Sequence, residues 1–153
     1  MTDPIVITGY DQISALGTSL SELDDALAEQ RSGVTAFALD IPGLDPAQVA
    51  IARANWEVGK LIAPSKVPMD RGTAMALTVA QHAVAQATTH AGAIEPSGLG
   101  VYWGSGMAGA HTFDLTCEAL YVHQRRIRPT NVVTVMPNAP AAEIALLLQA
   151  KGI

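Results

Sequence analysis

The segment Leu99-Gly-Val-Tyr-Trp-Gly-Ser-Gly-Met-Ala-Gly109 joins a short apolar run to a turn rich in glycine. The run from Leu99 to Trp103 has a glycine on each side, a pattern typical of a strand buried on both faces of a parallel sheet. The glycines that follow, Gly104, Gly106 and Gly109, permit positive φ angles and a close approach of the backbone to a ligand. Because ligands of open α/β sheets bind beyond the carboxyl ends of strands, this turn is the first candidate for a binding site.

Composition limits the classes of protein to which the chain can belong. Its 153 residues are enough for one domain, and only 15% of them are charged while 49% are hydrophobic. So few charges predict that another polypeptide covers part of the surface. The net charge of −5 argues against a nucleic-acid partner.

Targeting and redox signals are absent from the sequence. No stretch approaches the roughly 18 apolar residues of a membrane span, and no signal peptide is evident. The lone cysteine, Cys117, excludes an intramolecular disulfide and a cysteine-rich zinc site. We therefore expect a soluble, cytoplasmic protein without a membrane span.

Periodicity predicts the elements of the first half of the chain. Residues 4–9 are predicted to form a strand, and a helix capped by Ser19 or Ser21 follows, with Gly33 as its C-terminal cap. Residues 35–68 are interrupted by proline and glycine, which predicts an irregular excursion with a short helical turn at 47–52. The best helical pattern runs from Asp70 to Ala91 and is rich in alanine, as in a central buried helix. Asp70, followed by Arg71, is expected to cap this helix and to take part in a surface or interhelical ion pair.

The second half continues the alternation of strands and helices. Residues 112–126 predict an amphipathic helix and residues 130–136 an extended segment. Asn138 can cap a last helix with Pro140 in its first turn, and this helix is apolar nearly all round, so it should be buried. The resulting order predicts the α/β class, but two strands are too few for a parallel sheet that buries these helices.

One alternative reading of the glycine turn is a nucleotide site. The run from Gly104 to Gly109 fits G-x-G-x-x-G, the dinucleotide fingerprint, between a predicted strand and a predicted helix. The acidic ribose ligand expected about 20 residues further on would fall in 124–126, where the sequence is Gln-Arg-Arg. An NAD(P)-binding domain therefore stays a remote alternative.

No complete catalytic set emerges from the residue types. The four histidines are scattered without the spacing of a metal pair, and Cys117 lies inside a predicted helix away from its N-terminus. Ser105 stands in Gly-Ser-Gly and not in the nucleophile elbow G-x-S-x-G. We predict no metal site and no cofactor.

Taken in order, several short motifs resemble those of one enzyme family. They are Val6-Ile-Thr-Gly9, Ser14-Ala-Leu-Gly17, Arg31-Ser-Gly-Val34, Met69-Asp-Arg71, Val101-Tyr-Trp-Gly-Ser-Gly106, and Asn138 with the helix after it. Their order and spacing are similar to the N-terminal part of β-ketoacyl-acyl-carrier-protein synthases, the thiolase-like condensing enzymes of fatty-acid and polyketide synthesis. The resemblance implies that 1–153 is a partial ketosynthase domain of layered α-β-α-β-α fold, ending just before the nucleophile strand and helix.

The resemblance also carries expectations for chemistry. The family uses a cysteine at a helix N-terminus and two histidines, all of which would lie after Ile153, so this chain contributes no catalytic residue and is expected to be inactive alone. The whole protein would be an acyltransferase that condenses an acyl thioester with malonyl-acyl-carrier protein. An isolated chain of this kind is expected not to be a stable monomer, because its strands lack neighbours.

The resemblance implies that two segments of this chain shape the acyl pocket. Gly106, Met107 and Ala108 match the turn that limits entry of the acyl chain, with Met107 at the gatekeeper position. The interface segment that reaches toward a partner's pocket includes Asn131, Thr134, Val135 and Met136.

Departures from the family pattern widen the range of functions. Thr130 and Asn131 stand where aromatic residues are common, and Ala108 replaces a common glycine. These changes leave room for a specialised polyketide or polyene synthase, or for a non-catalytic subunit similar to a chain-length factor. The partners implied are an acyl carrier protein and a second condensing subunit, in a homodimer or a heterodimer.

Overall fold

The computed structural model describes residues 4–41, 43, 45–57 and 69–152. It divides into two compact units, one within Asp11–Trp56 and one within Met1–Tyr10 and Glu57–Ile153. The described residues contain five α-helices and one two-stranded sheet, so the mixed α/β class predicted from the sequence is confirmed.

In the smaller unit, helix α1 spans Leu20–Ala28 and begins where the sequence predicted. The Ser19 hydroxyl caps it by accepting a hydrogen bond from the Glu22 N–H, and the Glu22 carboxylate accepts one from the Thr18 N–H (2.6 Å). The bond from the Thr18 N–H is the main reason why the pKa of Glu22 lies below its usual value. The predicted cap at Gly33 is wrong, because the helix already ends at Ala28 and Gln30 takes the left-handed conformation (φ 54°).

A hairpin follows α1. Strand β1 (Val34–Leu39) pairs antiparallel with β2 (Ala47–Ala52), and the register places Phe37 opposite Val49. The irregular excursion with a helical turn at 47–52 is therefore wrong for these residues, although 58–68 lie outside the described residues. Alanine favours a helix locally, but an aromatic residue paired with a β-branched one across the strands stabilises a sheet.

Helix α2, Arg71–Ala91, is the longest element of the larger unit and confirms the helix predicted there. Asp70 is its N-cap, and Gly92, at φ 84°, ends it. The first half of α2 is the more buried half, and Ala76 and Leu77 belong to the hydrophobic core.

Helix α5, Ala139–Leu148, packs against α2 and contributes Ile144 to the same core. The helix starts directly after Asn138 with Pro140 in its first turn, as expected, but the Asn138 side chain makes no capping hydrogen bond. The expected burial all round is wrong, because Leu146 is 73% exposed. Within the described residues, one face of α5 has a neighbour and the opposite face has none that covers it.

Helix α3 spans Ala110–Tyr121, and the short helix α4 spans Asn131–Val135. The prediction of a longer α3 is wrong at its C-terminal end, since the chain leaves the helix at Val122. The prediction of an extended segment at 130–136 is also wrong. Its β-branched residues favour a strand, but α4 packs against both α3 and α5, and this packing outweighs the local propensity.

The two predicted strands at 4–9 and 99–103 have no sheet partner among the described residues. Gly9 instead lies against the backbone of Ala83 in α2, and the Gln86 side chain accepts a hydrogen bond from the Tyr10 N–H. Tyr102 is 86% exposed, so the expected burial of both faces of 99–103 is wrong. A strand requires a neighbouring strand, which an apolar run cannot specify by itself.

Candidate functional site

The glycine turn between Gly104 and Gly109 is open on its outer side. A Cβ atom added at Gly104 or Gly106 would meet no other atom within 4 Å. Met107 projects from the turn with 80% of its surface exposed. The Ser105 hydroxyl accepts a hydrogen bond from the Ala108 N–H (2.9 Å), which closes the turn just before α3.

Gly109 joins this turn to α4. It adopts φ 79° at the N-cap of α3, and a Cβ atom there would lie 2.5 Å from the Val135 Cα. Only glycine tolerates both this φ and this approach. The structure therefore brings the predicted pocket turn, 106–108, next to the predicted interface segment that contains Val135.

Asp70 ties the start of α2 to the start of α3. Its side chain is buried, and one carboxylate oxygen accepts a hydrogen bond from the Gly72 N–H (2.8 Å). The other oxygen accepts from the Thr112 hydroxyl (2.8 Å) and the Thr112 N–H (3.3 Å). Burial acts to raise the pKa of Asp70, but the hydrogen bonds from Thr112 and Gly72, helped by the nearby His111, outweigh it and hold the pKa below its usual value.

A second polar contact ties α3 to α4. The Thr116 hydroxyl donates to the Thr112 carbonyl oxygen (2.6 Å) and accepts a hydrogen bond from the Asn131 side-chain amide (2.9 Å). Thr112 and Thr116 are one helical turn apart on the same face of α3. Hydrogen bonds made by Thr112 and Thr116 therefore link Asp70, at the start of α2, through α3 to Asn131 in α4.

The structure places the predicted site residues in two adjoining groups. Gly106 and Met107 are exposed, and Ala108 is half-buried beside them. In the second group Asn131, Thr134 and Val135 are half-buried, and Met136 is exposed.

Sequence reasoning missed the roles of Asp70, Thr112 and Thr116 between these groups. The position of Asp70 before a helix indicated a cap, which the structure confirms. Nothing in the local sequence pointed to its second partner, Thr112, 42 residues further along the chain.

The described residues show no assembled catalytic group. Cys117 is half-buried in the middle of α3, away from the helix N-terminus that would activate a thiol. No cluster of three histidine, cysteine, aspartate or glutamate residues in this part of the chain could hold a metal ion. None of the helices described is both long and apolar enough to cross a membrane.

Comparison with known families adds a decisive observation. The family model for the β-ketoacyl synthase N-terminal domain matches residues 2–153. The chain belongs to this family. The G-x-G-x-x-G run at 104–109 is thereby part of a ketosynthase N-terminal domain, and the match does not support the reading as a dinucleotide-binding domain.

Two solved structures share the fold of this chain. The ishigamide ketosynthase/chain length factor superposes with a TM-score of 0.66 at 23% identity, over 96% of this chain and 38% of the other. A β-ketoacyl synthase from Burkholderia phymatum STM815 gives 0.60 at 23% identity, over 97% and 37%. The ketosynthase-like chain thus spans less than two fifths of the length of these structures. No curated protein sequence matches it.

Proposed function

We propose that the protein carrying this chain is a β-ketoacyl-acyl-carrier-protein synthase. In the proposed reaction an acyl group is held as a thioester, malonyl-acyl-carrier protein loses carbon dioxide, and the resulting carbanion attacks the acyl carbonyl. The carbon–sulfur bond of the acyl thioester breaks as the new carbon–carbon bond forms, so the products are a β-ketoacyl-acyl-carrier protein, carbon dioxide and the freed thiol. The observation that carries this proposal is the family match over 2–153.

The chain is proposed to contribute the entrance of the acyl pocket and no catalytic residue. Met107 projects from an unobstructed turn, where its flexible apolar side chain suits contact with an acyl chain. Gly106 and Ala108 flank it and add no bulk, which leaves the approach to Met107 free. The cysteine nucleophile and two histidines of the reaction are proposed to come from a different part of the protein, since no described residue has the required setting.

Helix α4 is proposed to face a second condensing subunit. Val132 and Val133 are each more than 60% exposed, and Met136 follows them at the surface. Adjacent exposed apolar residues on one short helix are typical of a subunit interface. Both a homodimer and a heterodimer are compatible with such a surface.

A non-catalytic subunit is the second candidate function. It is favoured by the similarity in fold to a structure that contains a chain-length factor, and by Thr130 and Asn131 in place of the family's aromatic residues. In this case the protein would shape the pocket of an active partner without holding an acyl group itself.

Condensation by the purified protein distinguishes the two candidates. It is incubated with an acyl-acyl-carrier protein and malonyl-acyl-carrier protein, and β-ketoacyl products are detected by mass spectrometry. A catalytic protein forms them alone and is acylated on a cysteine. A chain-length subunit forms none alone, but alters product length when it is combined with an active ketosynthase. Absence of both effects would refute the condensing function, and binding of NADPH would then revive the dinucleotide alternative.

A further inference from the structure

A polar connection, made of the hydrogen bonds that link Asp70 through Thr112 and Thr116 to Asn131, lies behind the turn that carries Met107. Asp70 is 4% exposed, and each of its carboxylate oxygens accepts at least one hydrogen bond of 2.8 Å. The Thr112 carbonyl oxygen accepts a hydrogen bond from the Thr116 hydroxyl, and this hydroxyl accepts one from the Asn131 side-chain amide. Such a network of satisfied, largely shielded polar groups fixes the relative positions of the helices that carry it.

The Met107 turn is attached directly to this connection. The Ala110 N–H donates to the Met107 carbonyl oxygen (3.4 Å), and the Phe113 N–H donates to that of Gly109 (2.8 Å), so the turn is continuous with the first turn of α3. Gly109 contacts Val135, the last residue of α4. A displacement of α4 against α3 therefore moves the turn that carries Met107.

Thr116 is the member of the network at which the two helices meet. Its hydroxyl accepts a hydrogen bond from the Asn131 side-chain amide (2.9 Å) and so links α3 to α4. We propose that Thr116, together with Asp70 and Asn131, is a positioning residue that holds the Met107 turn in place and thereby sets which acyl-chain lengths enter. This inference rests on the proposed condensing function.

The decisive variant is Thr116→Val, which keeps the shape of the side chain and removes the hydroxyl. Thr89→Val is the matched control, because the Thr89 hydroxyl also donates to the carbonyl oxygen four residues earlier (Ala85, 3.0 Å). Thr89 is exposed on α2, and within the described residues its side chain makes no hydrogen bond to another element. Thr116→Ser restores the hydroxyl and serves as the rescue variant.

Two measurements are made on the intact protein. Amide hydrogen exchange at 106–109 reports whether the turn loosens. The ratio of kcat/KM for a long and a short acyl substrate reports whether selection by length changes. Thr116→Val loses one hydrogen bond of ordinary strength, so amide hydrogen exchange at 106–109 should become about fivefold faster. The ratio of kcat/KM for the long and the short substrate should move toward one, also by about fivefold. Thr89→Val and Thr116→Ser should stay near the wild type.

The outcomes separate the inference from the function on which it rests. Unchanged exchange in Thr116→Val would refute the coupling between α4 and the turn. Faster exchange with an unchanged length ratio would refute the role in selection. A wild-type protein without condensing activity, alone or with a partner ketosynthase, would refute the proposed function, and hydrogen exchange would then decide the coupling by itself.

Discussion

At the scale of single residues, a few polar and glycine positions determine the geometry of the candidate site. Asp70 and Gly109 are the two extremes: the first is a buried carboxylate with a full set of donors, and the second is a backbone position that excludes a side chain. Neither touches the open side of the Met107 turn. Both hold the turn from the side away from its exposed surface. A substitution at Asp70 removes a hydrogen-bond acceptor, whereas a substitution at Gly109 adds atoms where there is no space for them.

Asp70→Asn should destabilise the protein in a pH-dependent manner. The amide offers a single acceptor oxygen, so it cannot serve Gly72 and Thr112 together, and we expect a loss of about 1–3 kcal/mol in the free energy of unfolding at neutral pH. Because the pKa of Asp70 is lowered in the folded state, its stabilisation is complete above the unfolded pKa of about 3.9. The stabilisation is lost as the pH falls through the lower, folded pKa.

Urea unfolding of the wild type and of Asp70→Asn at several pH values tests this. The difference between their free energies of unfolding should be constant above about pH 5 and shrink below pH 4. A difference that stays constant down to pH 2 would contradict the assignment of a lowered pKa to Asp70.

Gly109→Ala should be strongly destabilising. Alanine would carry the strain of a left-handed φ of 79° and would overlap the Val135 backbone, which together cost about 2–4 kcal/mol. Gly106→Ala is the matched control, because a Cβ atom there meets open space, and its effect should stay within about 0.5 kcal/mol. Equal unfolding midpoints for the two variants would show that Gly109 is not needed for its conformation.

At the scale of elements, packing partners decided the structures that local propensity left open. The segment 47–52 is rich in alanine, yet it forms strand β2 because β1 lies beside it. The β-branched segment 131–135 forms helix α4 because α3 and α5 contact it. Helix α2 needed no such correction, since its N-cap, its composition and its terminal glycine all favour one helix.

Helix α5 offers a test of one-sided burial. Ile144→Ala should lower the free energy of unfolding by about 2–5 kcal/mol, because it leaves a cavity between α5 and the buried residues of α2. Leu146→Ala, on the exposed face of the same helix, should cost less than about 1 kcal/mol. An equal cost at the two positions would mean that the face carrying Leu146 is also covered.

At the scale of the whole molecule, the main feature is apolar surface that the described residues leave uncovered. The low charge content already indicated a partner, and the structure places exposed apolar side chains on α4 beside the candidate pocket. The second subunit proposed to bind there would remove this surface from water.

If α4 faces the proposed second subunit, Val133→Lys should weaken association between the subunits. Val133 is 62% exposed, so a lysine there is tolerated by the fold, but burial of its charge in an interface would be costly. We expect the dissociation constant to rise at least about tenfold by analytical ultracentrifugation, the equivalent of about 1.4 kcal/mol. Thr89→Lys, on the exposed end of α2, is the control, and unchanged association in Val133→Lys would exclude α4 from the interface.

The sequence by itself determined the α/β class, the course of α2 and its cap at Asp70, and the family, through motifs whose order is a property of the chain alone. These features depend on residues that are close in sequence or on their linear order. The tertiary structure alone decided the β1–β2 pairing, the helical form of 131–135, and the polar connection from Asp70 through Thr116 to Asn131. Each of these depends on a partner distant in sequence, and the energy of such a contact is not encoded in either segment taken separately.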